Sequence, residues 1–199
     1  QSLEQEGTQP TITFTTNKNV GEEIKVSVRL PEGVTVDNIT VEGATVVKTE
    51  DTSKPNEKNI TYSLTAQTVK ILGDLTSLYC NNNGITSIDL SHSKLVNLFC
   101  PYNSITELNT NGNNNLSTLN CENNQLTALD VSTNSELTYL TCNYNKISTL
   151  NLPQNNKLWL LACAYNNLKE LNVSNFKDLI DLSCSRNELE KLTVKNNPE

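Results

Sequence analysis

Methionine is absent from the 199 residues, and histidine and tryptophan each occur once. Position 1 is Gln, so the chain reads as processed or trimmed, with an export signal upstream. The longest apolar run, Leu158–Ala164, has seven residues, against the roughly twenty that a bilayer-crossing helix needs. A lipid anchor ahead of Gln1 would be compatible with this. Lys and Arg together number 15 against 22 Asp and Glu, for a net charge of -7. With no basic cluster, nucleic acid and anionic membranes are excluded as partners. His92 has no second imidazole to work with, which removes most routes to a paired base. No GxSxG, P-loop, GxGxxG or HExxH motif occurs. No catalytic residue, metal or cofactor is expected.

Cysteine is the residue used with regularity. The six fall at Cys80, Cys100, Cys121, Cys142, Cys163 and Cys184, spaced by 20, 21, 21, 21 and 21 residues. The surrounding frame recurs as LxxLxCxxNx(I/L)xx(I/L)x(L/V), with Thr110 the one polar residue at its last position. This matches a leucine-rich repeat, in which LxxLxC lays a short parallel strand on a concave face. At 20 or 21 residues a coil has no room for a convex helix, so the return is extended chain and turns. One coil cannot bury its own leucines, but stacked coils form inward columns such as Leu78, Leu98, Leu119, Leu140, Leu161 and Leu182. Asn83, Asn103, Asn124, Asn145, Asn166 and Asn187 form a structural column whose carboxamides can bond the backbone where each strand bends. In-register strands hold like Cβ atoms about 4.8 Å apart, outside the 3.5–4.5 Å of a disulfide. No CxxC spacing offers a zinc site, so the cysteines read as a reduced, buried ladder.

The first seventy residues have period two. Ile12 and Phe14, then Ile24, Val26, Val28 and Leu30, alternate with polar residues, and Pro31-Glu-Gly33 and Ser53-Lys-Pro55 mark turns. Residues 1–10 are expected to be a flexible tail, 11–66 a small antiparallel β unit capping the array, 67–74 a truncated opening coil, and 75–199 about six coils.

The LxxLxCxxNxLxxLxVSxNxxL frame, over about Leu75 to Val194, resembles the cysteine-ladder leucine-rich repeats of bacterial cell-surface proteins. Internalin J-like repeats are among these, as are repeat proteins secreted by Bacteroides-type bacteria. The resemblance implies a solenoid with a parallel concave β-sheet and a largely non-helical convex side, in a secreted or cell-surface protein that recognises or adheres and is not an enzyme. The chain departs from the internalins in having no LPxTG motif and no helical N-terminal cap.

A ligand would meet the positions that point outward from the concave strands: the third, fifth, seventh and eighth residues of each coil, counted from its first Leu. Six of the ten aromatic residues stand there: Tyr79, Phe99, Tyr102, Tyr139, Tyr144 and Tyr165. Asn120, Glu122, Asn143, Asp181 and Arg186 accompany them, and Trp159 borders the same surface. Exposed rings beside amides suit a protein or glycan ligand, of host origin among others. Stacking of Tyr144 on Tyr165 to stiffen the sheet is the bland account of the same residues. Asp130-Val-Ser132-Thr-Asn134-Ser-Glu136 alternates oxygen ligands but lacks the glycine and distal glutamate of a calcium loop. The expected function is non-enzymatic extracellular recognition by a monomer. The alternative is a structural spacer that self-associates through its C-terminal edge, whose charges Arg186, Glu188, Glu190, Lys191 and Lys195 defend an open strand.

Overall fold

A computed structural model describes residues 9–194. Of the expected tail, only Gln9 and Pro10 are therefore described, and Lys195 lies outside the described residues. The strands are β1 (Thr11–Thr16), β2 (Glu23–Arg29), β3 (Thr40–Glu42), β4 (Ala44–Asp51), β5 (Glu57–Leu64), β6 (Thr68–Leu72), β7 (Ser77–Tyr79), β8 (Ile85–His92) and β9 (Asn97–Phe99). They continue as β10 (Glu107–Asn109), β11 (Thr118–Asn120), β12 (Ala128–Asp130), β13 (Tyr139–Thr141), β14 (Thr149–Asn151), β15 (Leu160–Ala162), β16 (Glu170–Asn172), β17 (Asp181–Ser183) and β18 (Lys191–Thr193). Among the described residues the one helix is a 3-10 turn, Val36–Asn38, closed by a capping box with Thr35.

Each coil contributes one three-residue strand to the concave sheet. β7, β9, β11, β13, β15 and β17 pair in parallel, with Leu78, Leu98, Leu119, Leu140, Leu161 and Leu182 in register. The register follows from period two: a slip of one residue would turn every central Leu to solvent and its polar flanks to the core. All of these leucines except Leu182 of the last coil are buried, each contributing about 1.5–3 kcal/mol. The convex return carries short strands, β8 beside β10, β12 beside β14 and β16 beside β18. The chain is thus a leucine-rich repeat solenoid with a parallel concave sheet and a convex side free of helix among the described residues.

Strands β1–β5 do not make a sheet of their own. β2 pairs antiparallel with β7 on one side and with β5 on the other, and β4 lies outside β5. The concave sheet therefore runs through nine strands, β17-β15-β13-β11-β9-β7-β2-β5-β4. The opposite layer is ordered β10-β8-β1-β6-β3, with β1 antiparallel to both β6 and β8. β6 runs in the direction of β8 but is held off it by β1, so residues 67–74 supply a convex strand displaced by one position. Pairing crosses the divisions drawn at residues 66 and 74. The buried side chains also form one continuous core, from Ile12, Phe14, Val26 and Tyr62 through to Leu171 and Phe176.

Candidate ligand-binding surface

The side chains of the concave face are positioned by what lies beneath them. The carboxamide of Asn145 donates to the carbonyls of Cys121 at 3.0 Å and Cys142 at 3.1 Å, and accepts from the Leu126 amide at 3.0 Å. Asn124 and Asn166 repeat the pattern one coil to either side. Asn103 and Asn187 do so as well, less buried. Each Asn thereby ties the end of its own strand to the coil before it and satisfies polar groups that would otherwise be buried unpaired. Asn83 has no preceding coil and bonds the backbone of Lys25 on β2 instead.

The cysteines lie directly under this ladder as free thiols, five of them buried and Cys184 half-buried in the last coil. Burial pushes the thiols of Cys80, Cys121 and Cys163 up to about 12 and raises those of Cys100 and Cys142 well above the ordinary value. They behave as small apolar side chains that fill a narrow coil.

To bring each ladder Asn inward, the residue before it adopts a left-handed backbone. The φ values are +58° at Asn82, +56° at Tyr102, +54° at Asn123, +58° at Tyr144, +56° at Tyr165 and +56° at Arg186. This is the eighth position of all six coils. Asn tolerates that conformation; for other L-residues it costs about 1–2 kcal/mol. Three coils nonetheless place tyrosine there, and all three rings are exposed, Tyr102 by 63%, Tyr144 by 49% and Tyr165 by 43%. Tyr144 and Tyr165 stack with centroids 4.3 Å apart and planes 13° apart. Partial desolvation together with the Tyr165 hydroxyl raises the Tyr144 phenol above its usual value.

The remaining expected site residues divide into groups. Tyr79 and Phe99, at the fifth position of the first two coils, stack at 4.6 Å with planes 4° apart. Asn120 continues their row, and Asn143 donates to the Glu122 carboxylate at 3.1 Å. Tyr139 joins Trp159, not the tyrosine column, in a tilted pair at 5.5 Å. Asp181 and Arg186 are exposed on the last coil, Arg186 next after Tyr165 in the eighth-position column and Asp181 beside Leu160 on β15. Beside Trp159 lies Ile180, 79% exposed, which the repeat frame gives no reason to single out. Beyond Tyr79 the face continues onto β2 and β5 in an open groove of about 670 Å³, lined by Lys18, Lys25, Lys48, Asn59, Tyr79 and Asn82 among others. In the sequence, Lys25 and Ser27 alternate with buried Val26 and Val28 and so announce an outward face, but nothing there says which strand they pair with.

The oxygen-rich run at residues 130–136 is engaged internally. The Asp130 carboxylate caps its own turn by accepting from the amide and hydroxyl of Ser132, which holds it below the usual carboxylate range. The Asn134 carboxamide donates to the carbonyls of Thr110 and Asn113, and Glu136 pairs with Lys157 at 2.7 Å.

No protein-family model matches the chain, and no curated protein matches it. Among solved structures it is similar to the functional domain of InlJ from Listeria monocytogenes, described as including a cysteine ladder, with 42% identity and a TM-score of 0.56. The likeness is to repeats that carry the same cysteine ladder. The likeness takes in 60% of this chain and 27% of the listerial one, so the chain spans about a quarter of that structure's length. The in-line thiols are the feature that the two share by description. The region before residue 75 has its own explanation in the strands that complete the two sheets.

Proposed function

We propose that this internalin-like chain is a secreted or cell-surface recognition module that binds a protein or glycan through its concave face, without catalysing a reaction. The observation that carries the reading is the tyrosine column at left-handed positions. Asn82 and Asn123 are the residues that the backbone itself favours there. Tyr102, Tyr144 and Tyr165 therefore stand there at a conformational cost, and strained residues of this kind concentrate at ligand clamps. Stacking recovers part of the cost for Tyr144 and Tyr165 but none of it for Tyr102, whose neighbours in the column are Asn82 and Asn123. Rigid rings also supply contact area at little entropic cost. The test is a parallel screen against immobilised glycans and cell-surface ectodomains with wild type and a Tyr102→Ala, Tyr144→Ala, Tyr165→Ala triple variant. Binding that the triple variant keeps would place the site elsewhere.

A second reading, self-association through the C-terminal edge, is favoured by the exposure of Ile180, Leu192 and Val194 on the last coil. It predicts concentration-dependent oligomers that dissociate on Ile180→Lys and Leu192→Lys. A monomer at all concentrations would remove it.

A further inference from the structure

The eighth-position column contains a gap. Rings stand on the second, fourth and fifth coils at Tyr102, Tyr144 and Tyr165, while the third coil has Asn123, with the same left-handed φ and so the same direction of projection. Stacked neighbours on this face are spaced 4.3 and 4.6 Å per coil. Tyr102 and Tyr144 are two coils apart in this column, so their backbone positions are separated by about 9 Å, twice the strand-to-strand step of about 4.7–4.9 Å. That is room for one ring at van der Waals contact with both. The exposures agree: Tyr102, with no ring on either side, is the most open at 63%, and Tyr144, covered on one side only, is 49% exposed.

The floor of the gap is polar. The half-buried Asn123 offers a carboxamide, and Glu122, half-buried beside it in the chain, has its carboxylate held at one oxygen by Asn143 of the next coil. An aromatic side chain inserted here would leave these groups facing carbon and unpaired. A ring with hydroxyls around its rim and C–H bonds on both faces would satisfy them. Among pyranoses, the gluco configuration has that distribution, because its substituents are equatorial. A galacto ring carries an axial hydroxyl that would spoil one face.

The geometry points to a subsite for a single gluco-configured pyranose of a β-linked glycan, sandwiched between Tyr102 and Tyr144 with its hydroxyls on Asn123 and Glu122. This rests on the concave-face reading and narrows it to sugar.

The test uses cellohexaose, chitohexaose and β-1,4-galactohexaose as probes, titrated calorimetrically into the chain, with a tyrosine-containing peptide as the planar-ring control. The key variant is Asn123→Tyr, which closes the gap with a residue that the same backbone position accepts in three other coils. The expected results are binding of a gluco-configured hexamer, at least tenfold weaker binding of the galacto hexamer, and at least tenfold loss in Asn123→Tyr with the melting temperature maintained. No binding of either gluco hexamer at 10 mM, equal binding of the galacto hexamer, or binding by Asn123→Tyr within twofold of wild type would overturn the subsite. So would capture of the peptide in place of the hexamers. If Asn123→Tyr keeps a ligand that the triple tyrosine variant loses, the subsite falls and concave-face recognition stands. If the triple variant keeps it as well, both fall.

Discussion

The carboxamide of Asn83 holds both backbone polar groups of Lys25, its Nδ2 donating to the carbonyl oxygen at 2.8 Å and its Oδ1 accepting from the amide at 3.1 Å. Every other ladder asparagine reaches back to the preceding coil as well as bonding its own, so β2 takes the place of a coil that the array lacks. The open end of a solenoid, with its exposed core and unpaired strand edge, is thereby covered by a strand in the same sheet. Asn83→Ala leaves the Lys25 groups and the Cys80 carbonyl without that partner and is expected to cost about 2–3 kcal/mol. Urea unfolding followed by circular dichroism and by the fluorescence of Trp159, four coils away, should show one shared transition at a lower midpoint. Separate transitions in wild type would contradict a single core.

Thiol chemistry gives a pH signature. Cys80, Cys121 and Cys163 ionise near 9.0 when unfolded and at about 12 when buried. Above pH 9 the unfolded state thus binds fewer protons than the folded one, and stability falls as pH rises from about 9 towards 12. Below pH 9 the thiols contribute no slope. Each contributes at most about 1.4 kcal/mol per pH unit. The urea midpoint at pH 10 should therefore lie below that at pH 8, and a Cys121→Ala variant should show a shallower decline. A thiol reagent at pH 8 should modify Cys184 first in native protein and all six cysteines after denaturation without reductant.

Stability and recognition are expected to move in opposite directions at Tyr102. Tyr102→Asn relieves the left-handed cost and forfeits no stacked partner, so stability should rise by up to about 1 kcal/mol while ligand affinity falls. Tyr144→Asn loses a stacked pair worth about 0.5–1.5 kcal/mol and should come out near neutral. Chemical denaturation of the two variants in parallel provides the check; a destabilised Tyr102→Asn would show that the ring has a structural role.

Thr110 is fully buried, its hydroxyl donating to the Asn134 carboxamide oxygen at 2.7 Å, where other coils place Leu or Val. Thr110→Val matches the repeat frame better and should nevertheless destabilise the chain by about 1–3 kcal/mol, because the Asn134 oxygen is left unpaired in the core. A second change, Asn134→Leu, should lower the urea midpoint further, because it takes the donor from the buried carbonyls of Thr110 and Asn113.

The 21-residue period made the solenoid legible from the leucine, cysteine and asparagine columns, because stacking forces equivalent residues into equivalent places. What that period does not reach was harder to read. Ile24, Val26 and Val28 announce a strand with one buried face, yet its partner β7 is set by which edge stands open, and that is a property of the assembled array. The left-handed backbone at Tyr102, Tyr144 and Tyr165 is hidden by the residue type, although Asn82 and Asn123 in the same column are its sequence signature. The convex amides escaped notice because their column is short, running through Asn113, Asn134 and Asn155 before Phe176 interrupts it. The first repeat is one residue shorter, and Gly112 of the second repeat lies against its Ser91 carbonyl so closely that a Cβ would sit 2.7 Å from it. The side-chain Nδ2 of Asn113, next in the chain, is buried without a hydrogen-bond partner among the described residues.

Concave recognition is tested most directly by comparing the two faces of the same coils against one ligand from the glycan and ectodomain screen. The concave variant carries Tyr102→Ala, Tyr144→Ala and Tyr165→Ala; the convex control carries Glu107→Ala, Thr149→Ala and Glu170→Ala, all three exposed on the return strands. The dissociation constant should rise at least tenfold for the concave variant and stay within twofold of wild type for the convex control. Unchanged affinity in the concave variant, or the larger loss in the convex one, would contradict the account.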